Sequence, residues 1–108
     1  MKKDLDRYTY RLTWSEEDGE HVGLCAEFPS LSWLDSSPEK ALAGIRKIVK
    51  EVLVELAKSG DVVPEPISLK SYSGKFMVRV PPETHRMLVV QAAESGISLN
   101  RLVSSKLN

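Results

Sequence analysis

The chain is short of the residues that most often carry chemistry or covalent structure. It has one cysteine, Cys25, two histidines and 6% aromatic residues in a length of 108. A single cysteine excludes an internal disulfide and a zinc site built from several cysteines. No apolar run approaches the length of a membrane span, and residues 1–7 have no apolar segment behind their lysines, so we expect neither a transmembrane helix nor a signal peptide. These features predict a protein of the reduced cytoplasm.

Charge is balanced over the whole chain but not along it. The sequence holds 15 Lys and Arg against 15 Asp and Glu, and its 42% hydrophobic residues are typical of a globular protein. Residues 1–73 carry 10 basic and 13 acidic side chains, a net charge of −3, whereas residues 74–108 carry 5 basic and 2 acidic, a net charge of +3. An acidic front and a basic tail predict two modules with different partners.

The front predicts a sheet followed by one helix. Alternating side chains over 8–14 and 22–28, joined by a polar turn, are typical of a hairpin, and 31–34 predicts a short third strand. Ser37-Pro38-Glu39 is typical of a helix start, and apolar residues then recur at three- and four-residue steps until Gly60. Residues 1–60 are therefore predicted to form an α+β module, a three-stranded antiparallel sheet with one helix.

The tail follows a stretch that predicts a linker. Residues 61–73 contain two prolines and a serine-rich end, which disfavour regular structure. Residues 74–108 then predict a strand over 75–80, a helix from Pro82 to about Ser95, and a second helix capped by Ser98.

A module with one strand and two helices cannot satisfy that strand's backbone or bury both helices alone. We expect a homodimer in which the two strands pair as an antiparallel ribbon beneath four helices. The predicted dimer core contains Val78, Val80, Leu88 and Leu102.

The opposite face of the ribbon presents Lys75, Met77 and Arg79. A two-stranded ribbon fits the DNA major groove, where arginine donates bidentately to guanine. Ser98 and Asn100 begin the second helix, where free backbone N–H groups favour a phosphate. The alternative is a solvated edge strand protected by its charges.

The remaining chemistry-bearing residues favour structural roles. His21 and Cys25 are four apart on a strand, about 13 Å, which is too far for a nucleophile and its base. Tyr8, Tyr10, Trp14 and Trp33 could stack on bases, but aromatics on an apolar strand face are more often core. Two-metal cleavage needs several converging carboxylates, and the predicted strands offer only Glu27 and Asp35. We therefore expect no enzyme, no metal site and no cofactor.

The tail segments Gly74–Glu83 and Glu94–Val103 resemble a ribbon-helix-helix domain of the Arc/MetJ/CopG type. With the tyrosine-rich hairpin, Glu27-Phe28-Pro29 and Ser37–Leu42 ahead of them, the chain as a whole resembles the HicB antitoxin family. The resemblance implies that the three outward strand residues read bases and that Ser98 and Asn100 anchor a phosphate. Met77 departs from the polar residue usual at the middle reading position.

For the front, the resemblance implies a partial RNase H-like fold. This fold would cover a small, basic, mRNA-cleaving toxin of the HicA type, and the complex would repress its own operon. A solitary ribbon-helix-helix regulator without a toxin is the alternative function. An RNA-processing enzyme is a third, against which the missing carboxylate cluster counts. The sequence leaves open whether the dimers pair into tetramers.

Overall fold

The computed structural model describes residues 5–108, so residues 1–4 at the start of the predicted front module lie outside it. Its contacts divide the chain into two compact units, of which the first ends at Tyr72 and the second spans Ser73–Asn108. The described residues form one three-stranded antiparallel sheet and three longer helices, which confirms the predicted α+β class. No helix within 5–108 is both long and apolar enough to cross a membrane.

The first unit is a sheet with one long helix against it. Strands β1 (Tyr10–Ser15), β2 (Glu20–Cys25) and β3 (Ser32–Asp35) lie in the order β1-β2-β3, and both pairings are antiparallel. Helix α1 (Pro38–Ser59) begins where the Ser37 hydroxyl accepts a hydrogen bond from the Lys40 N–H. It ends at Gly60, which has the left-handed φ of 72° that glycine allows. The sequence signals for both ends of this helix are confirmed.

Helix α1 approaches the sheet closely at Gly23 of β2. A Cβ at this position would lie 2.5 Å from the Ala41 carbonyl oxygen, so only glycine fits. Cys25 lies on the same side and is buried, as predicted. The apolar residues Val22 and Leu24 occupy the opposite face of β2 and are only half-buried. Alternation therefore identified the strand correctly but did not mark the side that faces the helix.

The core of the first unit joins the sheet, the loop after β2 and α1. Tyr8 and Phe28 pack with ring centroids 5.5 Å apart. The buried cluster is completed by one strand residue and three helix residues, which are Cys25, Ile45, Val49 and Leu53. Its helix members lie at four-residue steps, as expected for one face of a helix.

The end of the first unit is attached to the sheet by side-chain hydrogen bonds. The Tyr8 hydroxyl donates to the Pro64 carbonyl at 2.6 Å, the Ser68 hydroxyl donates to the Arg7 carbonyl at 2.6 Å, and the Ile67 N–H donates to Glu27 at 2.8 Å. A short 3₁₀ turn spans Ile67–Leu69. The stretch whose composition predicts a linker is thus anchored over 64–68.

The second unit contains helices α2 (Pro82–Ser95) and α3 (Leu99–Leu107), which pack against each other. Gly96 ends α2 with a φ of 67°, and the Ser98 hydroxyl caps α3 by accepting from the Arg101 N–H. Residues 75–80 join no sheet within the described part of the chain. A lone strand has no edge to bond to, so the ribbon needs a second copy and stays a prediction.

Candidate nucleic-acid interface

Residues 75–80 are exposed on both of their alternating faces. Lys75, Met77 and Arg79 are the predicted base-reading residues, and all three are exposed. The other face carries Phe76, Val78 and Val80, which are 76%, 63% and 43% exposed. A single chain therefore presents a basic face and an uncovered apolar face on one short segment.

The helices of this unit also lack cover. Leu88 and Leu102, predicted for the dimer core, are only half-buried, and Ala92 is the one buried residue of the unit. Exposed apolar side chains on the helices are Met87, Val89, Val90 and Leu107. Exposed apolar side chains in this number, in a unit with one buried residue, favour a surface that a protein partner covers.

The predicted phosphate contact lies at the start of α3. Ser98 and Asn100 are both exposed there. The Ser98 hydroxyl accepts from the Arg101 N–H at 3.1 Å, which leaves the earlier N–H groups of the first turn to other acceptors. The structure thus brings both residues to one helix N-terminus, where an anion is electrostatically favoured.

The two carboxylates predicted on strands have structural partners, although Glu27 lies in the turn after β2 and only Asp35 is on a strand. Asp35 accepts a hydrogen bond from the Ser37 N–H at 3.1 Å, beside the start of α1. Glu27 accepts from the Thr9 N–H at 2.9 Å, the Thr9 hydroxyl at 3.1 Å and the Ile67 N–H at 2.8 Å. Burial raises the pKa of Glu27, but the hydrogen bonds from Ile67 and Thr9 outweigh it and the net pKa falls below its ordinary value.

The histidine and the cysteine belong to separate contacts. Burial is the main cause that raises the pKa of the Cys25 thiol, whose Sγ lies 3.4 Å from Glu27. His21 packs edge-on against Trp14, with ring centroids 5.0 Å apart. Across residues 5–108, no three His, Cys, Asp or Glu side chains gather in a way that could hold a metal ion.

The four strand aromatics differ in burial. Tyr8 is in the core and Trp33 packs against it, which confirms the structural interpretation for both. Tyr10 packs beneath the Arg46 guanidinium and donates to the Leu5 carbonyl, and its burial raises its pKa to about 12. Trp14 is the exception, because it is 52% exposed on β1.

Sequence reasoning missed the part that Glu27 plays in anchoring the end of the first unit. The residues that it joins are 18 and 40 positions away in the chain. No local pattern relates positions so far apart. The sequence signals at this position were the Glu27-Phe28-Pro29 motif and a charged side chain close to apolar residues, and neither names the atoms that Glu27 binds.

Residues 64–107 match the model of the HicB family. The match supports membership of the HicB family. It covers the second unit and the anchored segment before it, less than half of the chain, and does not reach the sheet. No curated protein and no solved structure matches the chain.

This partial match to the HicB family model is consistent with the antitoxin of a toxin–antitoxin pair and suggests a toxin partner of the HicA type. The matched residues include every predicted DNA-contacting side chain, namely Lys75, Met77, Arg79, Ser98 and Asn100.

Proposed function

We propose that this protein is the antitoxin of a HicAB-type pair, which neutralises a small mRNA-cleaving toxin and represses its own operon. The observation that carries the proposal is the segment 75–80, an exposed run of alternating basic and apolar residues inside the part that matches the HicB family. When a second copy covers the apolar face of such a segment, the basic face remains free to bind DNA.

The DNA-binding part follows from pairing two such segments. In a ribbon-helix-helix dimer, the apolar faces of the two strands pack under the four helices. Lys75, Met77 and Arg79 of each chain then face the major groove, where Arg79 donates to guanine and Met77 contacts a thymine methyl. Ser98 and Asn100 hold a phosphate and fix the register of the ribbon on the duplex.

The neutralising part rests on the charge of the front. Residues 1–73 carry a net charge of −3, with Glu16, Glu17, Asp18 and Glu20 in and beside the turn of the β1–β2 hairpin. An acidic surface attracts the basic RNA-binding surface of a toxin and covers it, so that substrate is excluded sterically. This function requires no catalytic residue and no cofactor. Glu27 and Asp35 instead serve the fold through their hydrogen bonds to backbone N–H groups.

A solitary transcriptional regulator is the second candidate, favoured by a specific observation. The family match leaves the sheet of the first unit uncovered. A regulator would use the same second unit on DNA, and its first unit would bind something other than a toxin.

Purification from the native cells tests the antitoxin proposal. The expected result is a small, basic, stoichiometric partner whose RNA cleavage stops when the full chain is added back. A chain that is purified alone and binds its operator equally well would contradict the antitoxin proposal and support the regulator.

Replacing Arg79 tests the DNA-binding proposal. We expect Arg79→Ala to weaken binding to the specific operator by about 1–3 kcal/mol without unfolding the protein. Lys106→Ala is the matched control, because it removes one positive charge from the last turn of α3, away from the ribbon. Unchanged operator affinity of Arg79→Ala in a fluorescence-anisotropy titration would contradict the ribbon assignment.

A further inference from the structure

Strand β1 has one edge that is bonded to nothing within the described chain. It pairs only with β2, in the register that sets Tyr10 opposite Cys25 and Trp14 opposite His21. The Ala26 N–H donates to the Thr9 carbonyl, so the odd-numbered residues of β1 direct their backbone groups toward β2. The N–H and C=O groups of Tyr10, Leu12 and Trp14 therefore point outward along the open edge.

This edge lacks the features that usually protect a sheet edge. Within Tyr10–Ser15 there is no proline, no glycine and no lysine, and Arg11 is the one charged residue. Leu12 and Trp14 are 39% and 52% exposed. Strand β3, at the other edge of the sheet, is only four residues long and is protected by its shortness.

The residues before and after β1 carry charges of opposite sign. Arg7 precedes the strand and is exposed, while the neighbouring Asp6 is paired with Arg46. Three exposed carboxylates follow the strand in the hairpin turn, those of Glu16, Glu17 and Asp18. An antiparallel second copy of the strand would bring the acidic turn of each chain to the basic start of the other.

We propose that β1 pairs with β1 of a second copy, antiparallel and across a two-fold axis at Leu12, so that two sheets join into one of six strands. The outward backbone groups then bond Leu12 to Leu12 and Tyr10 to Trp14 across the axis, which also covers the exposed part of the indole. Such a two-fold interface uses the same surface on both subunits. Arg11 lies opposite Thr13 of the second copy and so directly opposes no cation.

This interface is separate from the ribbon. The ribbon uses residues 75–80 of the second unit, whereas β1 lies wholly in the first. Each interface joins two copies of the chain about its own two-fold axis. Failure of the ribbon proposal therefore leaves the β1 proposal standing, and the reverse holds as well.

Sedimentation equilibrium of the full chain and of paired variants tests this. Val78→Asp places a charge in the ribbon core and removes that dimer. In this background we expect the chain to remain a dimer through β1. Adding Leu12→Pro deletes one outward N–H that the β1–β2 ladder does not use, and should give a monomer with an unchanged sheet signal in circular dichroism. Leu12→Val, which keeps the N–H, is the matched control and should stay dimeric.

Charge reversal gives a second test that spares the strand. Arg7→Glu and Glu17→Arg should each weaken association in the Val78→Asp background, and the double variant should restore it. A folded Val78→Asp chain that is monomeric at millimolar concentration would overturn the proposal. Equal association constants for Val78→Asp with and without Leu12→Pro, or no restoration by the double charge reversal, would also overturn it.

Discussion

The two units of this chain differ in how much of their apolar surface they bury themselves. The first has six buried residues in one cluster, and three of them lie on a single face of α1. The second buries only Ala92 and exposes Phe76, Met77, Val78 and Val80 before its first helix even begins. The first unit has the core of a complete domain, whereas the second has the surface of half a domain.

This difference arises although both units use the same local signals. Ser37 and Ser98 each cap a helix by accepting from the N–H three residues later, and Gly60 and Gly96 each end one in the left-handed conformation. Local sequence therefore determines helix boundaries equally well in both units. What separates the units is whether the apolar faces find partners within one chain.

Ile45→Ala tests whether the first unit has a core of its own, and it has the largest expected effect. Ile45 is fully buried at the centre of the cluster. The substitution should lower the free energy of unfolding of the first unit by about 2–5 kcal/mol, through lost burial and the cavity left behind. Both tryptophans of the chain lie in the first unit, so urea titration followed by tryptophan fluorescence reports on this unit.

The control for Ile45→Ala lies on the same helix. Leu42 is 36% exposed, and Leu42→Ala should change the free energy of unfolding much less. The Ile45→Ala effect should not depend on protein concentration in the Leu12→Pro background, where the β1 edge is blocked. A loss below 1 kcal/mol there, or one that follows concentration, would show that the cluster is not a self-sufficient core.

The attachment of 64–68 to the sheet gives a smaller effect. At neutral pH, Glu27→Gln should lower the free energy of unfolding by about 1–2 kcal/mol, because it weakens charge-assisted hydrogen bonds from Thr9 and Ile67. The pKa of Glu27 is lower in the folded protein than its ordinary value of 4.5. Its stabilising contribution is therefore present above pH 4.5 and is lost as the pH falls through the folded-state pKa.

The measurement is urea unfolding of both proteins between neutral pH and pH 3. The gap between wild type and Glu27→Gln should narrow as the solution becomes acidic. Glu55→Gln, at an exposed position of α1 outside both proposed interfaces, is the control and should leave the curve unchanged. A constant gap across this pH range would mean that the Glu27 charge does not hold the segment.

The features that the sequence predicted depend on neighbouring residues, and those that it did not predict depend on residues far apart in the chain or on a second chain. The strands, the ends of α1 and the two tail helices carry signals within a few residues of each boundary, and all were predicted. The close contact of α1 with Gly23 was not predicted, because it depends on Ala41, which is far away in the chain. The anchoring by Glu27 was missed for the same reason. The ribbon depends on a second chain, so one chain cannot display it.

Substitutions at the two helix-capping serines, Ser37 in the first unit and Ser98 in the second, compare the units with the smallest expected effects. Aspartate caps a helix about as well as serine and complements the positive end of the helix dipole. Ser37→Asp should therefore leave operator affinity nearly unchanged, while its stability falls slightly because the Ser37 hydroxyl donates to the Glu39 carboxylate and an aspartate would repel it. Ser98→Asp should also preserve α3, but it places a negative charge where we propose a phosphate binds, and should weaken operator binding by about 1 kcal/mol. Circular dichroism and anisotropy titrations of the two variants separate capping from phosphate contact. Equal operator affinities would mean that Ser98 serves α3 alone and that the ribbon is positioned on DNA by other residues.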